Sequence, residues 1–139
     1  MMSDPFQSIF KIAGAGLRAQ SMRLQVASEN ITNARMSPTR PGETPFARKT
    51  VSFRSEMDRA SGANLLKVSS IDRDRTAFPL EYNPSHQAAD ARGYVQMPNV
   101  NIYLEMADLK EASRSYQANL QSVRTARDMY SSTIELLKS

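Results

Sequence analysis

Cysteine is absent from the 139 residues, which excludes disulfides and thiolate metal sites outright. Histidine occurs once, as His86 in the turn-like stretch Asn83-Pro84-Ser85-His86-Gln87. A lone loop histidine reads as solvated and not as a catalytic base. Asp72 and Asp74 alternate, but their segment lacks the central glycine and closing glutamate of a calcium loop. Glycine is scarce at five residues, and Gly14 and Gly16 lie inside a helical pattern, not in a phosphate loop after a strand. Apolar residues never run together for about 18 positions, so no membrane span is expected. The start, Met1-Met2-Ser3-Asp4-Pro5-Phe6, has neither a basic region before an apolar run nor a small-residue cleavage site, so no cleaved secretory signal is expected. These absences leave no catalytic residue, metal ligand or cofactor to assign. The chain reads as a non-enzyme.

Charge of one sign is also in short supply. Lys and Arg number 18 against 14 Asp and Glu, a net charge of +4. Residues 1–35 hold four basic and two acidic groups, residues 36–99 nine and seven, and residues 100–139 five and five. A phosphate-binding surface needs concentrated positive charge, so nucleic acid is not an expected partner. A membrane-surface helix needs a wide apolar face opposite a strongly basic one. The first 35 residues offer a narrow seam and only Lys11, Arg18, Arg23 and Arg35 as basic groups, which suits helix–helix packing instead.

Two long seams are what the chain does have. Asp4 can cap a helix and Pro5 fits its first position. Phe10, Ala13, Leu17, Gln20, Leu24, Ala27, Ile31 and Ala34 then follow at alternating spacings of three and four, with Gln20 the one polar break. That is a heptad seam, ended by Ser37-Pro38, and about 45 Å of helix. Gly14 and Gly16 interrupt it, each costing about 1 kcal/mol relative to Ala. They mark either a weak point or a place where a neighbouring helix comes close. The last helix, from Asn101 to Lys138, carries Leu109, Ala112, Tyr116, Asn119, Val123, Ala126, Tyr130, Thr133 and Leu137 at the same spacing, widened by Leu120 and Ile134. Asn119 and Thr133 either fix register in the seam or face water as it drifts.

Between the seams, Thr50–Phe53 and Leu65–Ile71 read as strands and Phe78–Tyr82 as an edge strand, with loops at Met36–Pro45 and Asn83–Arg92. Gly93 permits a turn, Pro98 bars helix at Met97, and Asn99 or Asn101 can cap the last helix. The expected fold is mainly α: long terminal helices pairing as a coiled-coil-like bundle, with a small irregular β element between them. Residues 1–35, 36–99 and 100–139 are the amino-terminal helix, the β and loop region and the carboxy-terminal helix of one structural unit. So short a chain buries little core alone, and its seams are expected to be finished by other copies or partners. Free subunits are expected to be largely disordered over residues 1–35 and roughly the last 30, because narrow helices gain stability from packing.

Four segments carry a family resemblance. Ser28-Glu29-Asn30-Ile31-Thr32-Asn33-Ala34 resembles the amino-terminal signature of flagellar rod, hook and junction proteins. Thr44-Pro45-Phe46-Ala47-Arg48-Lys49 is similar to the proline-aromatic-basic segment after their first helix, and Ala89 to Asn101, with Gly93, Tyr94, Val95, Pro98, Asn99 and Val100, to the block before their last helix. Ala112-Ser113-Arg114-Ser115-Tyr116-Gln117-Ala118-Asn119 follows in the family's order. The resemblance covers nearly the whole chain and is most specific for the proximal rod group of these axial proteins. Gln87, where many relatives have proline, and Leu65 to Arg75 depart from it. The resemblance implies a structural subunit of the basal-body rod that polymerises through its terminal helices into the tubular drive shaft. It adds Asn30 and Asn33 to the seam residues as assembly positions. It implies export without a cleaved signal through the flagellar type III apparatus, a place in the periplasmic rod, and partners among copies of itself and other rod proteins. The alternative is a coiled-coil adaptor that does not polymerise.

Overall fold

An aspartate and a proline start the first helix. In the computed structural model, which describes residues 4–139, the Asp4 side chain accepts from Phe6 N at 3.0 Å and Pro5 opens α1 (Pro5–Asn33). Met1, Met2 and Ser3, part of the expectation that no leader is present, lie outside the described residues. The chain continues through β1 (Lys49–Met57), β2 (Asn64–Arg73), β3 (Leu80–Tyr82), β4 (Tyr94–Gln96) and α2 (Ile102–Lys138). Helix makes up 49% and strand 18%. The expected small β element lies between the helices as two separate two-stranded antiparallel sheets, β1–β2 and β3–β4, with loops around them.

The β1–β2 hairpin runs further than the strand pattern reads. It pairs Lys49 with Arg73 at its base and Met57 with Asn64 at its tip, with a bulge between Ser52 and Phe53. The β4 strand is hidden in the motif that begins at Ala89. Gly93 takes φ of +85°, and a side chain there would meet Pro84 Cβ and the Tyr82 ring at 3.0 Å. Asp90 accepts from Arg92 N and Tyr94 N at 2.8 and 3.0 Å, closing the turn that lays Tyr94 opposite Tyr82. Those backbone donors, Tyr94 N foremost, hold the Asp90 carboxyl below its ordinary range. Val95 is buried beneath this small sheet.

Helices α1 and α2 lie antiparallel. Phe6 meets Tyr130 edge-on at one end, with centroids 5.5 Å apart. Gly16 faces Asn119 midway, Arg23 pairs with Asp108, and Asn30 bonds Glu105 at the other end. Small residues fill the line of contact: Ala13, Gly16 and Ala27 from α1, Ala112 and Ala126 from α2. A second buried line on α1, Ala15, Ala19 and Val26, lies under the hairpin, which packs along the helix. Nine strand residues rise about 30 Å, and Lys11 to Asn30 is about 28 Å of helix. Hairpin and helix therefore match in length. The helix α2 overshoots α1, and its last two turns have no α1 residue opposite them. Among the described residues no helix is long and apolar enough to cross a membrane.

Candidate functional site: a polar joint between helices and hairpin

The largest fully buried side chains include two polar ones, Asn30 and Glu105, each 1% exposed. A buried amide or carboxylate needs partners, and these find them in each other and in the base of the hairpin. Asn30 Oδ1 accepts from Lys49 N at 2.9 Å, while its Nδ2 donates to Lys49 O at 2.9 Å and to Glu105 Oε2 at 3.1 Å. One side chain on α1 thus reads both backbone groups at the first residue of β1 and the first turn of α2. Arg48 Nε donates to the other Glu105 oxygen, Oε1. The Arg48 guanidinium also lies 3.7 Å from Asp74, just past β2.

Asn99 closes the joint from the chain entering α2. Its Oδ1 accepts from Arg48 N at 2.8 Å, and its Nδ2 donates to Asp74 O at 3.2 Å and Thr76 O at 2.9 Å. Two residues on, Asn101 caps α2 by accepting from Tyr103 N at 3.1 Å, so of the two asparagines it is Asn101 that caps and Asn99 that ties. Asp74 is held below its ordinary range by Thr76 first, through hydroxyl and amide, and then by Arg48. Lys49 Nζ adds a 2.6 Å ion pair to Glu29. Deeper along the helices, Arg23 Nε donates to Asp108 at 3.0 and 3.1 Å, and Glu111 lies 3.5 Å away. Asp108 raises the Arg23 pKa against the cost of partial burial. A cavity of about 470 Å³ opens here between Arg23, Asn30, Arg48, Phe53, Glu105 and Asp108. Its charged groups are paired, Arg23 with Asp108, Arg48 with Glu105 and the lining Lys49 with Glu29, and among the described residues no cluster could hold a metal ion.

The seam residues separate by size. Ala13, Ala27, Ala112 and Ala126 are buried in the helix–helix contact. Phe10, Leu17, Leu24 and Ile31 on α1, and Leu109, Tyr116, Leu120, Val123 and Ile134 on α2, are half-buried. Helical spacing puts the four large α1 residues and the α2 residues Leu109, Tyr116 and Leu120 on the flank opposite the Arg23–Asp108 pair and the hairpin. By that placement they form a half-buried apolar strip along the groove between the two helices. Tyr130 is partly exposed, and Leu137 is 82% exposed on the overshooting end of α2. Asn119 sits against Gly16 and back-bonds Ser115 O at 3.0 Å. Asn33 bonds within its own helix, to Glu29 O at 2.8 Å, and stays out of the joint.

Of the motif residues, Pro98 and Val95 are buried, Gly93 makes the turn, Tyr94 stacks edge-on against Tyr82, Val100 is half-buried and Asn99 enters the joint. Arg48, Lys49 and Glu105 were not singled out from the sequence as site residues. Glu105 lies four positions before Leu109 on the seam spacing, a signal that could have found it. His86 is not solvated as expected: its Nδ1 accepts from Ala88 N at 3.0 Å and its Nε2 donates to Ser37 Oγ at 3.0 Å.

The arrangement ties helices to hairpin. Comparison with known proteins agrees with that character. Residues 91–136 match the family model described as flagellar basal body rod FlgEFG protein C-terminal. The flagellar basal-body rod protein FlgC of Agrobacterium fabrum is 53% identical, with 98% of both chains covered. That of Salmonella typhimurium is 41% identical over 93% of this chain and 96% of its own, and that of Borreliella burgdorferi 33% over 96% and 97%.

Proposed function

The chain belongs to the FlgC family of flagellar basal-body rod proteins, and from that footing we propose how its fold builds the rod. As a member it is a structural subunit of the flagellar basal body and not an enzyme, and it assembles with other rod components. The finer reading is polymerisation through the terminal helices, packed as a coiled-coil-like unit in the wall of the proximal rod. Neighbours are further copies and other rod proteins. The subunit reaches the periplasm through the flagellar type III export apparatus and carries torque along the drive shaft.

The observation that carries this reading is the open groove of Phe10, Leu17, Leu24, Ile31, Leu109 and Leu120. The hairpin covers one side of the helix pair and leaves this side half-wet along its length. Completing the burial of a Leu or Ile side chain gains on the order of 1 kcal/mol, and a groove that differs from the surface filling it makes a heterologous contact, which extends as an open filament where its rotation does not close. The exposed Leu136 and Leu137 at the far tip of α2 add to the demand for neighbours.

Sedimentation of the purified chain with other rod proteins tests it. The wild-type chain should pellet, whereas Leu24→Asp and Ile31→Asp put a charge into the groove and should stay in the supernatant with unchanged helicity. Variants that pellet like the wild type would show that the groove stays wet in the assembly.

A further inference from the structure

The β1–β2 hairpin is held to α1 very unequally at its two ends. At the base, Asn30 bonds both backbone groups of Lys49, Lys49 Nζ meets Glu29 at 2.6 Å, and Arg48 is bound by Asn99 and Glu105. At the tip, among the described residues, the polar tie to α1 is the 2.9 Å pair of Lys11 Nζ with Asp58 Oδ2, both side chains a quarter to a third exposed. Between the ends the apolar strand residues Val51, Phe53, Leu66 and Val68 are only half-buried.

The tip is organised to present that carboxylate whether or not α1 is there. Asp58 N donates to Ala63 O at 2.8 Å, Gly62 N to Asp58 O at 2.7 Å, and Ser61 Oγ to Asp58 Oδ2 at 2.6 Å. Gly62 takes φ of +69° to complete the turn. The Ser61 hydroxyl first, and Lys11 second, lower the Asp58 pKa to about 2. The carboxylate is therefore charged throughout the neutral range and the tie answers to salt, not to mild acid. A part-exposed ion pair is weak, so what holds the tip beyond it is the apolar contact over Ala15, Ala19 and Val26, which a competing apolar surface can replace in kind.

We propose that the hairpin is a hinged strap: fixed at its base by the Asn30–Lys49 joint, latched at its tip by Lys11–Asp58, docked on α1 in the free subunit and swung off it in the rod. This rests on the rod-subunit reading. In the free subunit the strap covers the Ala15, Ala19 and Val26 line of α1 and its own apolar face together, and in the rod a neighbouring subunit takes over both faces. A base bonded on both strands' entry keeps the swing a rotation about Lys49, without unfolding the sheet.

Absence of cysteine makes the test direct. Spin labels on Ser21→Cys in α1 and Arg59→Cys at the tip, both exposed positions, report the strap by pulsed dipolar spectroscopy. Labelled chain is diluted with unlabelled chain and measured free and in sedimented assemblies with other rod proteins. The free chain should show one short, narrow distance, and the pellet a longer one. An unchanged distance in the pellet overturns the strap while leaving the rod reading intact. Failure of wild-type chain to pellet at all overturns the rod reading instead. Within the free chain, Lys11→Ala should broaden the distance, and 0.5 M salt, on the order of a threefold shorter screening length than 0.05 M, should do the same to wild type. A narrow distance unmoved by both would show that the latch holds nothing.

Discussion

Gly16 and Gly14 sit two residues apart in one helix and do different things. A side chain at Gly16 would come within 2.7 to 2.9 Å of the Asn119 amide, whose own bond to Ser115 O would have to break. At Gly14 the nearest neighbour would be the flexible end of Arg18 at 3.6 Å. Alanine in a helix interior gains about 0.5–1 kcal/mol over glycine, so Gly14→Ala should raise the unfolding free energy by that amount, read as a higher urea midpoint at unchanged slope. Gly16→Ala should be neutral or worse, and Gly16→Leu should cost about 2 kcal/mol by overpacking. Asn119→Ala should rescue Gly16→Ala, a coupling that a double-mutant cycle reads. Asp58 sets a second expectation at this scale. Folding depresses its pKa from 3.8 to about 2, so its contribution is complete above the unfolded value and is lost as pH falls through the folded one. Tip mobility, followed by the protection factors of the Ala60 to Ala63 amides after correction for their intrinsic pH dependence, should be flat between about pH 5 and 8. Loosening that begins near neutral pH would point to another group.

At the scale of elements, the approach to α2 is governed by Asn99 more than by Pro98. The proline reading expects Pro98→Ala to let the helix grow backward. Asn99, however, is held in three bonds to Arg48, Asp74 and Thr76, which keep it extended whatever precedes it. Pro98→Ala should leave the helical circular dichroism unchanged. Asn99→Ala should cost about 1 kcal/mol or more by removing three hydrogen bonds to part-buried and exposed backbone groups. The reverse order would mean that the joint is held by chain stiffness and not by hydrogen bonds. Helix bounds and the strand cores were legible because heptad and alternating patterns are local. Which seam members lie innermost was not: a close antiparallel pair admits Ala13, Ala27, Ala112 and Ala126 and turns Leu17, Leu24, Leu109 and Leu120 to the flank. The hairpin outran its expected length because Arg54, Ser55 and Glu56 alternate no apolar signal. The joint escaped notice because Asn30, Arg48, Asn99 and Glu105 are ordinary polar residues far apart in sequence, and only folding makes them one network.

At the scale of the molecule, order before assembly follows from what covers each helix. Two seams with only each other for partners would leave both termini mobile in the free subunit. The hairpin changes this for α1, whose Ala13 to Asn30 stretch is walled by α2 on one side and strands on another. The matching stretch of α2, Glu105 to Ala126, is covered by α1 alone but carries the joint at its start. Past Ala126 every α2 residue except the half-buried Ile134 is exposed. A helix with little tertiary contact beyond the Phe6–Tyr130 pair is marginal at that length. Amides of Ala13 to Asn30, Lys49 to Met57 and Glu105 to Ala126 should therefore exchange slowly and as one unit in the monomer. Asp128 to Lys138 should exchange orders of magnitude faster, near the rate of a frayed terminus. Sedimented assemblies should protect Asp128 to Lys138 as well, because neighbours then cover Ile134, Leu136 and Leu137. Slow exchange of that tail in a dilute monomer would show that the helix persists without cover. Fast exchange across Ala13 to Asn30 would show that neither α2 nor the hairpin holds α1 before the rod does.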